Sequence, residues 1–211
     1  MAATNFGELA TAFATLLVVV EPLGLAPIFL AATVGQSRAA RSGIASRACL
    51  YAFCILTGAA LGGEALLRAI GITIPAFRIA GGLLLFAIAS EMVLGVRIGR
   101  DSDTAAKAVG ENGGQHIAAF PLAIPLMAGP GAITATLLIA GEAHGDPARL
   151  VGLIGAILAV ILICWAVCRL ATRVEQLVGA SASIVMEKLI GVLLASLAVQ
   201  YVMDGARSIF V

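Results

Sequence analysis

The chain of 211 residues is 61% hydrophobic and only 12% charged, with a formal net charge of +1. Soluble domains contain about 25% charged residues, so this composition excludes a water-soluble domain and predicts a protein whose solvent is the lipid bilayer. The near-neutral charge and the lack of a basic run exclude nucleic acid as a partner.

Six apolar segments are long enough to cross a bilayer core, which needs about 20 residues of helix. We therefore predict an all-α membrane protein, a single domain over residues 1–211. Its six transmembrane helices are expected at about 6–33, 48–68, 76–97, 117–140, 150–170 and 185–207, with a cytoplasmic loop at about 98–116. The first segment has no Lys or Arg before it and exceeds the length of a signal peptide's apolar region, so we expect it to be retained.

The first predicted helix is interrupted near its middle by Glu21-Pro22-Leu23-Gly24-Leu25-Ala26-Pro27. Unpaired backbone groups in hydrocarbon cost several kcal/mol each, so such a break is expected to line a cavity. Glu21 falls near the bilayer midplane, where a charge costs at least ~2.5–3.5 kcal/mol, which makes it a candidate for function. It can exchange a proton or contact a solute's amino group, because poor solvation favours its neutral form. The alternative, which does not exclude function, is a structural carboxylate that caps the freed N–H groups.

The fourth predicted helix is interrupted by Gly129-Pro130-Gly131-Ala132. A helix that restarts at Pro130 presents the N–H groups of Gly131, Ala132 and Ile133, and its dipole favours an anion there. Thr134 can add a hydroxyl. The alternative is a packing kink where helices 1 and 4 cross.

Three further polar side chains are secondary candidates for the solute path: Glu91, Gln200 and Asp204. Glu91 is a second proton relay or pairs with Arg97 or another cytoplasmic arginine. Gln200 lines the path or bridges helices. Asp204 has Arg207 as its ordinary partner, three residues further along the helix.

Other features predict structure rather than chemistry. The four cysteines lie in apolar segments, where they are expected to act as small hydrophobic residues. His116 and His144 fall in polar connections without a ligand set, so we predict no cofactor, no metal site and no catalytic residues. Glu64 is expected to pair with Arg68. The spacing Gly58-x-x-x-Gly62 is compatible with close helix packing, within the chain or in a homo-oligomer.

The two halves of the chain show weak internal similarity. Aligning Arg78 with Lys188 gives an offset of 110 residues, and aligning Pro22 with Pro130 gives 108. Three helices per repeat is an odd number, so the second repeat must enter the membrane from the opposite side. The sequence thus predicts two inverted three-helix repeats, at about 6–97 and 117–207, with helices 1 and 4 broken.

The distribution of Lys and Arg predicts the orientation in the membrane. The connections 1–2, 3–4 and 5–6, with their helix ends, hold nine: Arg38, Arg41, Arg47, Arg97, Arg100, Lys107, Arg169, Arg173 and Lys188. The opposite side holds four: Arg68, Arg78, Arg149 and Arg207. Both termini are therefore expected outside the cytoplasm.

Motifs along nearly the whole chain resemble those of the MarC family of membrane proteins, a group related to the lysine-exporter superfamily. They are Glu21-Pro22-Leu23-Gly24 with Pro27-Ile28-Phe29, Gly71-Ile72-Thr73-Ile74-Pro75 leading into Arg78-Ile79-Ala80-Gly81-Gly82, Pro121-Leu122-Ala123-Ile124-Pro125 followed by Ala128-Gly129-Pro130-Gly131-Ala132-Ile133, and Gly191 through Gln200 to Asp204-Gly205. The resemblance implies six helices in a bacterial or archaeal inner membrane and a transport function. Some relatives are described as transporters of small neutral amino acids. The family commonly has Asn or Asp at the position of Glu21 and often Asn at that of Asp204, so this chain departs toward carboxyl groups.

These features together favour a secondary transporter of a small polar solute, a small neutral amino acid, coupled to protons. The site is expected between broken helices 1 and 4 and includes Glu21, Pro22, Gly24, Pro27, Gly129, Pro130, Gly131 and Thr134. The alternatives are a membrane scaffold or regulator that transports nothing and an intramembrane enzyme, for which the chain lacks nucleophile and metal motifs.

Overall fold

The structure is a computed structural model that describes residues 6–95, 118–143 and 146–210. Within these ranges the chain is helical apart from short connections. The α-helices are α1 (Phe6–Val20), α2 (Leu25–Ala32), α3 (Arg38–Ala69), α4 (Ile74–Leu94), α5 (Pro130–Glu142), α6 (Pro147–Arg169) and α7 (Ala171–Phe210). A 3₁₀ turn, Pro22–Gly24, joins α1 to α2, and a π-helical segment, Ala118–Met127, precedes α5.

In the described part of the chain, five helical spans are long and apolar enough to cross a membrane: Gly7–Ala32, Arg38–Ala69, Ile74–Leu94, Pro147–Arg169 and Lys188–Ile209. They match predicted helices 1, 2, 3, 5 and 6. The fourth predicted helix is divided into a π-helical segment of 10 residues and α5 of 13 residues. Each piece is shorter than a bilayer requires. The all-helical membrane class is confirmed, while six spans stay a prediction.

Two helices are longer than the sequence predicts. Helix α3 begins at Arg38, where the Ser37 hydroxyl accepts a hydrogen bond of 3.2 Å from the Ala40 N–H. The predicted connection between helices 5 and 6, before residue 185, is itself helical, because α7 begins at Ala171, directly after α6. No proline interrupts this stretch, so the backbone can continue its helical hydrogen bonds. The predicted loop at about 98–116 lies outside the described residues.

Helices α4 and α7 pack antiparallel along their length through glycines. A Cβ atom at Gly82 would lie 2.7 Å from the Ala198 carbonyl oxygen of α7. Near the other end of α4, a Cβ at Gly191 would lie 2.9 Å from Cβ of Met92. Such approaches exclude any larger residue at these positions, as in the small-residue contacts of other membrane helices.

A single buried apolar cluster joins the remaining helices. It includes Leu16 of α1, Phe29 of α2, Leu56 of α3, Met127 of the π-helical segment and Ile157 of α6. The two interruptions of the helical backbone lie beside this cluster, which fixes their positions relative to each other.

Candidate functional site

The first break is confirmed at Glu21, where α1 has just ended. Glu21 has φ 49° and ψ 66° and is the only described non-glycine residue with a positive φ. The 3₁₀ turn follows, and α2 resumes at Leu25. Pro27 lies inside α2 and is exposed, so the break ends at Gly24, earlier than predicted.

The carboxylate of Glu21 lies beside the 3₁₀ turn. A Cβ atom at Gly24 would lie 3.3 Å from Cδ of Glu21 and 3.4 Å from its Oε1. The Glu21 side chain forms no capping hydrogen bond at the start of this turn, although the sequence allowed that role. The absent side chain at Gly24 therefore provides the space that the carboxylate occupies.

The second break is also confirmed. Gly129 is extended, with φ −78° and ψ 173°, and α5 begins with Pro130 in its first turn. Gly131 and Ala132 are buried. The prediction that Ile133 presents a free N–H is wrong, because this group donates a hydrogen bond of 3.0 Å to the Gly129 carbonyl in the first turn of α5.

The start of α5 packs against the last turn of α1, just before the first break. A Cβ at Gly131 would lie 3.3 Å from Cγ1 of Val19, which is two residues before Glu21. The same atom would lie 2.7 Å from Cδ2 of Leu85 in α4. These apolar side chains cover the start of α5, so a solute has no space beside Gly131 in this conformation.

Thr134 packs against α4 rather than into an open site. It is 3% exposed, and a side chain at Gly81 would overlap its Cγ2 atom. Pro22 is buried in the 3₁₀ turn. Of the residues predicted at the site, Glu21 and Gly24 touch each other, whereas Pro27 lies at the surface.

Two of the secondary candidates pair with each other. Nε2 of Gln200 donates a hydrogen bond of 2.9 Å to Oδ1 of Asp204, so these two pair within α7. The partner of Asp204 is therefore Gln200 rather than the predicted Arg207. Glu91 is half-buried in α4, and its suggested partner Arg97 lies outside the described residues.

The structure tests one predicted ion pair and one predicted glycine contact, both in α3. The Glu64–Arg68 ion pair is confirmed at the end of this helix, and both side chains are exposed. Gly58 and Gly62 would have nothing within 4 Å of an added Cβ atom, so no close helix contact within the described chain uses this spacing.

A cavity of about 400 Å³ opens where α1 begins, and the sequence did not reveal it. Its polar lining comes from four helices: Glu8, Thr11 and Thr15 of α1, Glu142 of α5, Arg149 of α6 and Tyr201 of α7. Nη2 of Arg149 lies 3.3 Å from Oε1 of Glu8. Nη2 of Arg78 lies 2.9 Å from Oε1 of Glu142, although these residues are 64 positions apart. The sequence contained one signal for this cavity, because charged residues lie at those ends of several predicted helices that share one side of the membrane.

Comparison with known proteins agrees with a membrane protein. Residues 6–210 match the sequence model of the MarC family of integral membrane proteins. The UPF0056 membrane protein YhcE of Escherichia coli (strain K12) is 33% identical over 198 residues, covering 94% of this chain and 91% of the relative. A UPF0056 membrane protein of Aquifex aeolicus is 34% identical over 206 residues, covering 97% of this chain and 95% of the relative. The UPF0056 membrane protein MJ1677 of Methanocaldococcus jannaschii is 34% identical over 199 residues, covering 93% of this chain and 94% of the relative.

No solved structure matches the chain. The relatives occur in bacteria and in archaea, and each is named as a membrane protein. The match spans both breaks and all five membrane-crossing helices. This chain therefore belongs to the MarC family of integral membrane proteins.

Proposed function

We propose that this chain is a secondary transporter of a small polar solute, a small neutral amino acid, with proton coupling through Glu21. The observation that carries the proposal is the packing of the second break against the end of α1, where Gly131 lies against Val19, two residues before Glu21 in a membrane span. Paired broken helices of this kind form the solute sites of many secondary transporters.

The packing of α4 and α7 supports an inverted repeat. Gly82 lies against the Ala198 carbonyl oxygen, and Gly191 lies against the Ala89 carbonyl oxygen, with Cβ distances of 2.7 and 3.3 Å. Gly191 follows Gly82 by 109 residues, and Ala198 follows Ala89 by the same 109 residues. The same offset therefore relates each residue of one contact to its equivalent in the other contact. This offset falls between the values of 108 and 110 from the sequence, as expected for two repeats that face each other across a two-fold axis.

The two breaks offer complementary chemistry to a zwitterion. The carboxylate of Glu21 can accept hydrogen bonds from an ammonium group. The N–H groups of Gly131 and Ala132, at the positive end of the α5 dipole, favour a carboxylate. In this proposal the six helices place both termini outside the cytoplasm, and rocking of the repeats separates the apolar contact over Gly131 to admit the solute.

A scaffold that transports nothing is the second candidate, and the apolar packing over Gly131 favours it. Purified protein in sealed proteoliposomes, tested with labelled amino acids with and without a pH gradient, separates the two. We expect gradient-dependent flux that Glu21→Gln abolishes and that Glu64→Gln, a change in an exposed ion pair, leaves intact. Folded wild-type protein that moves no small solute would refute the transporter.

A further inference from the structure

The cavity lies beside the first part of α1, the helix that ends at the first break. Its α1 wall runs from Gly7 to Thr15, which are about 12 Å apart along the helix axis. Thr15 is six residues before Glu21, a further ~9 Å along the axis. The volume of about 400 Å³ lies within the range of small-molecule sites. The cavity therefore has the size of a small-solute site, and it lies on the same helix as the first break.

Charged groups of both signs surround the cavity. Glu8, Glu142 and Arg149 line it. Two further charged residues lie next to this lining: Arg78 pairs with Glu142, and Oδ2 of Asp146 lies 3.7 Å from Nε of Arg149. Three carboxylates and two guanidinium groups leave an excess of one negative charge. The balance disfavours a net anion and accepts a solute that carries both charges.

The ion pairs of Arg149 are long enough to be exchanged. Its contacts to Glu8 and Asp146 measure 3.3 and 3.7 Å, whereas strong charged hydrogen bonds measure about 2.7–2.9 Å. The Arg149 side chain is 40% exposed, and exposed pairs of this kind contribute little to stability. A solute carboxylate can thus take the planar donor face of the guanidinium without a large loss.

The rest of the lining is suited to a small uncharged side chain. Ala12, Ile139, Leu153 and Leu197 form apolar parts of the wall. Transfer of a charged side chain to such a surface is unfavourable, whereas a methyl or isopropyl group gains by burial.

We infer that this cavity is an outer recognition site for a small neutral amino acid, in which Arg149 binds the carboxylate and Glu142 and Glu8 bind the ammonium group. The inference rests on the proposed transport function and extends it to a second site on the solute's path, on the side of the membrane where α1 begins.

Cysteine accessibility tests the site in lipid nanodiscs, with Cys54→Ala as background because Cys54 is the exposed native cysteine. Thr15→Cys faces the cavity, whereas Ala14→Cys is exposed at nearly the same depth but does not line it. We expect a charged, membrane-impermeant thiol reagent to modify Thr15→Cys much faster than Ala14→Cys. Equal rates would overturn the inference.

Protection of Thr15→Cys then reports which chemistry the cavity binds. Glycine, L-alanine, L-serine and L-valine are tested singly, with ethylamine and propionate as analogues of alanine that lack one charge. We expect protection by at least one amino acid and none by the analogues. Arg149→Gln should raise the concentration needed by about tenfold or more, the loss typical of one charged hydrogen bond. Arg68→Gln, an exposed arginine outside the cavity, should not change it.

Folding and flux are measured in parallel to separate the two proposals. Arg149→Lys, which keeps the charge but not the planar fork, replaces Arg149→Gln if the latter does not fold. Protection without wild-type flux contradicts the transport function and leaves the binding site standing. Flux with no protection by any of the amino acids, or with equal protection by the analogues, overturns the outer site alone.

Discussion

Replacing Glu21 by Asn or by Gln separates the backbone strain at the first break from the charge. Both changes remove the carboxylate, but only Asn is well suited to the left-handed conformation that Glu21 adopts, with φ 49° and ψ 66°. This conformation costs an ordinary L-residue roughly 1–2 kcal/mol. We therefore expect Glu21→Asn to be about 1 kcal/mol more stable than Glu21→Gln. For a chain of this size, the difference corresponds to a Tm about 2–4 °C higher.

Thermal unfolding of both variants in the same detergent or nanodisc measures this difference. Glu91 provides the matched control, because it lies within the regular helix α4. There the order should reverse, since Asn has a lower helix propensity than Gln by a few tenths of a kcal/mol. A Glu21→Asn variant that is no more stable than Glu21→Gln would refute the strain argument.

The same variants distinguish a functional Glu21 from a structural one. If the carboxylate serves transport, both variants should fold and lose pH-dependent flux. If it holds the 3₁₀ turn together beside Gly24, both should lose stability relative to the wild type.

Two further substitutions test the packing and the ion pairs. Gly82→Ala places a methyl against the backbone of α7 and should lower the free energy of unfolding by about 1–3 kcal/mol, whereas Gly58→Ala, with open space around it, should stabilise by up to about 1 kcal/mol. Equal effects in thermal unfolding would contradict the glycine contact. Arg78→Gln should cost about 1–3 kcal/mol, because the Arg78 side chain is only 17% exposed and its ion pair with Glu142 is lost. Arg68→Gln, in an exposed pair, should cost about 0–1 kcal/mol; a loss as large as that of Arg78→Gln would contradict this distinction.

The sequence predicts the positions of the breaks because proline and glycine act locally. Pro130 cannot donate a backbone hydrogen bond, and α5 begins with it. Pro27 is the exception, since a proline in the first turn of a helix removes no intrahelical bond, and α2 contains it without interruption. The class of the fold follows equally directly from the lengths of the apolar segments.

The cavity could not be predicted because its walls come from four helices. The pairing of Arg78 with Glu142 depends on the tertiary packing of α4 against α5, and no local spacing encodes it. The apolar cover over Gly131 has the same origin, because Leu85 and Val19 reach it from two other helices. Sequence periodicity assigns each residue to a helix, but it does not say which helices meet.

An open cavity beside Thr15 and a covered start of α5 are compatible with one state of a carrier. In the proposed function, the solute must separate Gly131 from Leu85, and exposing a leucine side chain costs about 1.5–3 kcal/mol. A zwitterion that bonds to Glu21 and to the α5 N–H groups gains about 1.5–3 kcal/mol from each charged hydrogen bond. Two such bonds offset the exposure, whereas one leaves little excess. Because a ligand shifts a conformational equilibrium only by its differential affinity, a solute with both charges can open this contact and one with a single charge cannot do so efficiently. In the proposed transporter, the covered glycine thus contributes to selectivity and is compatible with a site there.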